Sequence, residues 1–219
     1  MKKLKNIKDI QGAIFDMDGT LIDSMEMWDN IASQYLLSKG IMPEDNLGHI
    51  LKNMSMQQGC DYVIETYSMT ETSQEIVAGI NTMIAQKYKT ELPAKKGALE
   101  LIEALAKKNV AMCVATASDY HLADMCLTRI GIRKYLKGIY TCGEIKTGKD
   151  KPELFEYALE RLGTQKECTY VFEDSLYAAV TAKQAGFRVV GVYDKISKHE
   201  SEILKETVDI YITTLDELQ

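Results

Sequence analysis

A short apolar run near the N-terminus breaks abruptly into acidic residues, and this break constrains the fold more than any other feature of the chain. Residues 13–15 are apolar, and they are followed by Asp16, Asp18 and Gly19. An apolar run bounded by a turn signal is typical of a buried strand. In a central strand, Asp16 would lie at the carboxyl end, and Gly19 would let the chain turn away directly after Asp18. Two carboxylates would then share one small crevice.

Two neighbouring carboxylates repel each other unless a cation neutralises them, so the pair predicts bound Mg²⁺, which prefers oxygen ligands. The alternative is a polar turn that caps a helix, with Thr20 or Asp23 as the N-cap. A calcium loop is disfavoured because Thr20, Leu21 and Ile22 supply few oxygen ligands at the positions that follow. An apolar strand that leads into Asp-x-Asp-Gly-Thr-Leu-x-Asp-Ser is far more specific and favours the chemical interpretation.

The composition disfavours several classes of partner. With 219 residues, 46% of them hydrophobic, the chain can hold one large domain or a core with a modest insertion. The net charge of -6 and the pI near 5.2 argue against nucleic acid or an anionic membrane, because both need clustered positive charge. No apolar window reaches membrane-spanning length, and the N-terminus does not resemble a signal peptide. We expect no nucleic-acid or membrane partner, and a monomer or weak homodimer.

The cysteines indicate a compartment rather than a site. There are five, an odd number, and no two of them have Cys-x-x-Cys spacing. This usage suggests neither a zinc site nor a redox pair. It fits the reduced cytoplasm, where we expect the protein to be located.

Strand-like and helix-like patterns divide the chain into two parts. After residue 24 and up to about residue 88, apolar positions recur at helical spacing. From residue 98, short apolar runs alternate with helical stretches, which is typical of βαβ units. These runs lie at residues 110–115, 138–141, 169–172, 188–192 and 209–212. The pattern predicts an α/β protein with a doubly wound, Rossmann-like parallel-sheet core (residues 1–18 and 90–219) and an inserted α-helical cap domain (residues 19–89).

Ligands of an open α/β sheet bind beyond the carboxyl ends of its strands, so the residues that follow each apolar run are candidate site residues. The run at residues 110–115 is followed by Thr116, Ala117 and Ser118. A hydroxyl beside the free N–H groups of a helix start is a good site for a phosphate oxygen. An N-cap at Ser118 or Asp119 is the simpler local interpretation, and both can hold at once.

A loop with two lysines, Lys149 and Lys151, precedes a helix that Pro152 can start. A buried lysine here would neutralise the crowded carboxylates and a phosphoryl oxygen, whereas ordinary solvated lysines are the alternative. Residues 143–149 also match Gly-x-x-x-x-Gly-Lys. Asp150 stands where a Walker loop needs Ser or Thr, so we regard this match as a coincidence.

A second acidic pair, Glu173 and Asp174, follows the run at residues 169–172. One strand-end carboxylate seldom binds Mg²⁺ alone, so a second pair at the same sheet edge would complete a hard-metal site. The alternative is a cap for the helix at residues 176–185, provided by Asp174 or Ser175. Four strand ends with chemically complementary residues are difficult to explain as four independent caps.

These motifs resemble those of the haloacid dehalogenase superfamily, in particular its phosphatase and β-phosphoglucomutase-like branch with a helical cap. The resemblance covers nearly the whole chain and is most specific at Asp16-Met-Asp18-Gly-Thr20 and at Glu173-Asp174. It implies that Asp16 is the nucleophile that becomes an aspartyl phosphate. It also implies that Asp18 is the general acid and base, with its backbone carbonyl on Mg²⁺.

The same resemblance implies that Thr116 binds the transferring phosphoryl group, that a lysine of the third motif stabilises it, and that Asp174 is a metal ligand. Glu173 would bind the metal directly or stand behind the ligands. The third motif departs from the usual Lys-Pro-x-Pro-x-x-Phe, because Asp150 replaces the first proline. The retained proline and phenylalanine select Lys149, and Lys151 remains the alternative. The candidate metal set is Asp16, Asp18, Glu173 and Asp174, and the candidate phosphate-binding set is Thr116, Ala117, Ser118 and Lys149.

Substrate selectivity is expected from the helical insertion. Residues 48–55 resemble the specificity loop of the family, which implies that Lys52 and Asn53, with His49, face the leaving group. An exposed helix face is the other interpretation of these residues.

The motifs and the resemblance together predict a Mg²⁺-dependent phosphatase that hydrolyses a small phosphorylated metabolite, such as a sugar phosphate, through an aspartyl phosphate. The alternative is a β-phosphoglucomutase-type phosphomutase, which would use the same core. A non-catalytic phosphate- or metal-binding regulator is disfavoured, because binding alone does not require both Asp16 and Asp18.

Overall fold

The computed structural model describes residues 7, 9–51, 54 and 56–218. Its core is a six-stranded sheet in the order β3-β2-β1-β4-β5-β6. All neighbouring strands are parallel. The strands are β1 (Gly12–Phe15), β2 (Ala111–Thr116), β3 (Ile139–Thr141), β4 (Thr169–Glu173), β5 (Arg188–Val192) and β6 (Ile210–Ile212). The predicted α/β class with a doubly wound parallel sheet is confirmed.

Ten α-helices accompany the sheet within the described residues. They are α1 (Met25–Ser38), α2 (Leu47–Leu51), α3 (Met56–Tyr67), α4 (Ser73–Thr90), α5 (Ala98–Lys107), α6 (Tyr120–Arg129), α7 (Cys142–Ile145), α8 (Glu153–Leu162), α9 (Leu176–Gln184) and α10 (Ser201–Thr207). None of the described helices combines the length and the apolar character that a membrane crossing requires.

The central strands form because both of their faces are covered, as parallel sheets require. All residues of β1 and β4 are buried. The rings of Phe15 and Phe172 stack between these two strands, with their centroids 4.4 Å apart. The register aligns Phe15 with Val114 of β2 and with Phe172 of β4. The residues that follow these three positions therefore emerge at one edge of the sheet.

Helices α8 and α9 pack on the central strands through their apolar faces. Leu154 and Phe155 of α8 are buried against a core that includes Ile14 and Val171. On α9 the buried positions are mostly alanines, at residues 178, 179 and 182. Small side chains allow close approach of a helix to a sheet, which fixes the first turn of α9 near the end of β4.

The chain divides into two compact units, one comprising Met1–Ser24 and Leu92–Gln219 and the other Met25–Glu91. The second unit contains α1 to α4 and has its own small core of Leu36, Leu47 and Val63. Its longest helix, α4, starts at a capping box between Thr72 and Glu75, so its beginning is well defined.

Residues 19–24 belong to the same compact unit as the sheet, whereas the sequence pattern predicted domain boundaries after residues 18 and 89. Ile22 is buried and forms a bridge with Ala94. The N–H of Asp23 donates to the carbonyl of Pro93 at 3.0 Å, and the N–H of Lys95 donates to the carbonyl of Leu21 at 2.8 Å. The two linkers thus pair with each other, which extends the first unit to Ser24 and from Leu92 onward.

Candidate active site

The strand register brings the two predicted acidic motifs together. Asp16 follows β1 directly, and its N–H donates to the carbonyl of Phe172 in β4 at 2.9 Å. Glu173 ends β4, and Asp174 follows it. One carboxylate oxygen from each of Asp16, Glu173 and Asp174 lies within 4.8 Å of the others, and all three side chains are buried. We call these three residues the acidic cluster.

One lysine of the third motif reaches the acidic cluster. Lys149 is 4% exposed, and its Nζ donates to Asp16 Oδ1 and to Glu173 Oε1, the latter at 2.7 Å. Lys151 is exposed, because the chain enters α8 at this point and turns its side chain toward solvent. Between the two candidates from the sequence, the structure therefore brings Lys149 into contact with the carboxylates.

Hydroxyl groups contact two further carboxylate oxygens of the cluster. Glu173 Oε2 accepts from the N–H of Ser175 at 3.1 Å and from its Oγ at 3.0 Å. Asp174 Oδ1 accepts from Thr20 Oγ1 at 3.2 Å. Because Lys149 already contacts the other oxygen of Glu173, both oxygens of this carboxylate have protein donors.

Gly19 is the residue that the turn after Asp18 requires. Its φ is +90°, in the left-handed region that favours glycine, and a Cβ there would lie 2.2 Å from Asp174 Oδ2. A side chain at this position would therefore collide with the acidic cluster. The glycine of Asp-x-Asp-Gly thus allows the segment after β1 to pass close to Asp174, which follows β4.

Burial, together with crowding of negative charge, shifts the pKa values of the cluster. Burial raises the pKa of Asp16 from an ordinary 3.8 to about 7, Lys149 offsets part of this effect, and Glu173 adds to it. Burial also raises the pKa of Asp174, and the charges of Asp16 and Glu173 act in the same direction. For Lys149, burial favours the neutral form, but the two carboxylates outweigh it and raise the pKa. One lysine thus does not neutralise the cluster, and a group of three buried carboxylates could hold a metal ion.

Two hydroxyl groups donate to the carboxylate of Asp18. Its Oδ1 accepts from Ser24 Oγ at 2.7 Å, and its Oδ2 accepts from Ser118 Oγ at 2.6 Å. The side chain is half-buried and is not among the three that form the cluster. The predicted contact of Asp18 with a metal was through its backbone carbonyl, and it stays a prediction.

The second motif lies beside Asp18. Thr116 ends β2 and is buried, and its Oγ1 accepts from the N–H of Ser118 at 3.1 Å. Ala117 is exposed. Asp119 occupies the N-cap position of α6, but its side chain makes no capping hydrogen bond. Ser118 instead directs its hydroxyl to Asp18, so the capping interpretation does not account for these side chains.

The hydroxyl partners of the carboxylates were not predicted from the sequence. Thr20, Ser24 and Ser175 were considered only as parts of the motifs or as caps, whereas each donates to a carboxylate of the site. Ser175 is at the N-cap position of α9 and makes no capping hydrogen bond with its side chain. Ser24 and Ser175 lie close in sequence to the carboxylates that they contact, which was the available signal for these two, whereas Thr20 contacts Asp174 from 154 residues away.

The candidate selectivity residues are only partly described. His49 lies in α2 of the second unit. Lys52 and Asn53 lie outside the described residues.

Comparison with known proteins identifies relatives over most of the chain. The model of the family described as haloacid dehalogenase-like hydrolase matches residues 13–192. A phosphorylated carbohydrates phosphatase from Thermotoga maritima is 25% identical over 189 residues, covering 86% of this chain and 88% of that protein. The validoxylamine A 7'-phosphate phosphatase of Streptomyces hygroscopicus subsp. limoneus is 25% identical over 211 residues, covering 94% and 95%. A solved Thermotoga maritima structure, whose name assigns it provisionally as a β-phosphoglucomutase, gives a TM-score of 0.84 at 23% identity and covers 95% of this chain and 96% of that one.

The raised pKa of Asp16 predicts a pH-dependent stability of the metal-free protein. Between its ordinary value and about 7, the folded state keeps a proton that the unfolded state has released. The free energy of unfolding should therefore fall as pH rises through this window, by up to about 1.4 kcal/mol per pH unit for one group. Urea titrations in EDTA at several pH values measure this slope, and Asp16→Asn should reduce it. An exposed control, Asp45→Asn, should keep the parental slope, and an unchanged slope in Asp16→Asn would contradict the assignment.

Proposed function

Since this chain belongs to the haloacid dehalogenase-like hydrolase family and is a phosphoric monoester hydrolase, we propose that it hydrolyses a small phosphorylated metabolite, such as a sugar phosphate, with Mg²⁺ and through an aspartyl phosphate on Asp16. The observation that carries the proposal is the position of Asp16, at the end of the central strand and in contact with a buried lysine. The names of two relatives, which refer to phosphorylated carbohydrates and to validoxylamine A 7'-phosphate, support a substrate of this kind.

Asp16 is the proposed nucleophile because it is a buried carboxylate with a fixed orientation. Lys149 holds its Oδ1. In the first step a carboxylate oxygen of Asp16 attacks the phosphorus atom, and the bond from phosphorus to the alcohol oxygen breaks. In the second step a water oxygen attacks the phosphorus of the aspartyl phosphate, which releases inorganic phosphate and restores the Asp16 carboxylate.

Asp18 is the proposed general acid and base. It would give a proton to the departing alcohol oxygen in the first step and take a proton from the attacking water in the second. Its two hydrogen bonds, from Ser24 and Ser118, fix the carboxylate on the side of the second motif. Two carboxylates of one short loop can thus take different roles, because Asp16 contacts a lysine and Asp18 contacts hydroxyls.

Mg²⁺ is the proposed cofactor, since the acidic cluster offers only oxygen donors and carries more negative charge than Lys149 can neutralise. Asp16 and Asp174 would hold the ion. Glu173 would stand behind them, because Lys149 and Ser175 already occupy its two oxygens. When bound, Mg²⁺ supplies positive charge to the carboxylates and to a phosphoryl oxygen.

Lys149 and the second motif are proposed to receive the equatorial oxygens of the phosphoryl group. Charge on these oxygens dominates the transition state of phosphoryl transfer, so fixed donors stabilise it. Lys149 provides a charged ammonium, and residues 116–118 provide a hydroxyl and backbone N–H groups near Asp18. Lys52 and Asn53 stay proposals as selectivity residues, on the family resemblance alone.

Replacing Asp16 tests the nucleophile. Asp16→Asn should reduce kcat at least about 1,000-fold, because an amide oxygen is a poor nucleophile and leaves no route to the covalent intermediate. Steady-state assays with an aryl phosphate measure the loss, and circular dichroism verifies the fold. Trapping of radiolabelled phosphate on the parent protein, but not on the variant, would support the intermediate. A folded Asp16→Asn protein with near-normal kcat would refute the mechanism.

The two lysines of the third motif form a matched pair for a second test. Lys149→Ala should reduce kcat about 100-fold or more, because the fixed charge near the phosphoryl oxygens is lost. Lys151→Ala should change kcat less than about twofold, since Lys151 is exposed. Equal effects of the two substitutions, or the reverse ranking, would show that the lysine is wrongly assigned.

A screen of phosphorylated metabolites separates the phosphatase from the phosphomutase, which would use the same core residues. The parent protein is incubated with sugar phosphates and Mg²⁺, including β-glucose 1-phosphate with a bisphosphate primer. Release of inorganic phosphate supports the proposal, and it should stop in EDTA and return with added Mg²⁺. Formation of glucose 6-phosphate without phosphate release would instead establish the mutase. Full activity after exhaustive chelation would remove Mg²⁺ from the mechanism.

A further inference from the structure

An ion pair between a half-buried lysine and a buried carboxylate lies close to the acidic cluster without being part of it. The carboxylate of Asp194 is 1% exposed, and its Oδ2 accepts from Lys95 Nζ at 2.6 Å. Its Oδ1 accepts from the N–H of Ile196 at 2.8 Å. Lys95 Nζ also donates to the carbonyl of Tyr193 at 3.2 Å. The pair is therefore fixed in place, as a dipole with its negative end at Asp194.

The sheet register places Asp194 at the edge that carries the acidic cluster. Strand β5 lies next to β4, with Gly191 aligned with Glu173. Asp194 follows the end of β5 by two residues, so it emerges beside the segment that carries Asp174. Burial raises the pKa of Asp174, the charges of Asp16 and Glu173 raise it further, and Lys149 opposes them. The charge of Asp194 is a smaller contribution that also raises this pKa.

Stability alone does not explain this arrangement. Buried ion pairs often contribute little to folding, because the desolvation of both charges offsets their attraction. A carboxylate near three others also adds repulsion to the metal-free protein. The same charge attracts a divalent cation, so an additional carboxylate at this position favours metal binding.

We propose that the Lys95–Asp194 pair sets the affinity of the acidic cluster for a divalent cation. Asp194 strengthens cation binding through its charge, and Lys95 limits that charge. Neither side chain is a ligand, and both act through the carboxylates of the cluster. The backbone of Lys95 is fixed by its N–H, which donates to the carbonyl of Leu21 in the paired linker. The inference rests on the metal site of the proposed function.

The test measures Mg²⁺ binding to the protein without substrate. Dissociation constants come from the increase of Tm with Mg²⁺ concentration and, independently, from Mn²⁺ titrations followed by electron paramagnetic resonance. Asp194→Asn removes the carboxylate charge and leaves Lys95 positive, so the Kd should rise about tenfold. Lys95→Met combined with Asp194→Asn removes both charges, and the Kd should return to within about threefold of the parental value.

Two controls separate charge from structure. Asp194→Glu keeps the charge and should keep the parental affinity for Mg²⁺. Asp209→Asn removes a carboxylate that pairs with Lys183 at 2.8 Å just before β6, at the opposite edge of the sheet. This substitution should leave the Kd unchanged, because the lost charge is remote from the cluster.

Each outcome decides the inference. Recovery of Mg²⁺ affinity in the double variant supports a role through charge, since a purely structural pair would bind no better after a second disruption. Affinity in the double variant as weak as in Asp194→Asn, or parental affinity in Asp194→Asn, would overturn the inference alone. Failure of the parent protein itself to bind Mg²⁺ or Mn²⁺ would overturn the metal requirement of the proposed function, and this inference with it.

Discussion

Repulsion among buried carboxylates at the ends of two adjacent strands is the constraint on which the rest of the site depends. Parallel pairing of β1 with β4 aligns Phe15 with Phe172, so Asp16 and Glu173 must emerge side by side. Their mutual repulsion is tolerated because Lys149 enters between them from the loop before α8. Burial raises the pKa of Asp16, and the charge of Glu173 adds to this effect while Lys149 opposes it. Repulsion between the carboxylates of such a site is unfavourable, and a bound cation or a proton reduces it.

Several features of the surrounding backbone allow the chain to pass close to the acidic cluster. Gly19 turns the chain where any side chain would meet Asp174. The linkers before and after the helical unit then pair with each other through Ile22 and Ala94, which fixes the segment after Asp18 on the sheet. The segment that carries Asp16 and Asp18 is thus held at both of its ends, by β1 on one side and by the linker pairing on the other. Such anchoring favours pre-organised carboxylates, which phosphoryl transfer requires.

Much of the fold could be predicted because each buried parallel strand appears as a continuous apolar run, and the predicted strand at residues 188–192 has the bounds of β5. Strand ends also indicated where the acidic residues and the lysine would lie. The individual hydrogen-bond partners that lie far apart in sequence could not be predicted, even where strand ends had grouped the residues, since their pairing depends on the assembled sheet. Ser118 contacts Asp18 across 100 residues, and Lys95 contacts Asp194 across 99. The extent of the first compact unit to Ser24 depends on linker pairing in the same way.

Helix capping illustrates why local patterns mislead at a functional site. Asp119 and Ser175 stand at N-cap positions and are residue types that commonly cap helices, yet neither side chain makes a capping bond. Ser175 donates to Glu173, and Ser118, beside Asp119, donates to Asp18. The absence of a side-chain cap costs each helix about 1 kcal/mol of stability. It also leaves N–H groups of the first turn without a side-chain acceptor, and such groups are natural donors to an anion. The N-cap side chains fail to cap at two strand ends of the same sheet edge. The chemistry of that edge explains this better than the requirements of the helices do.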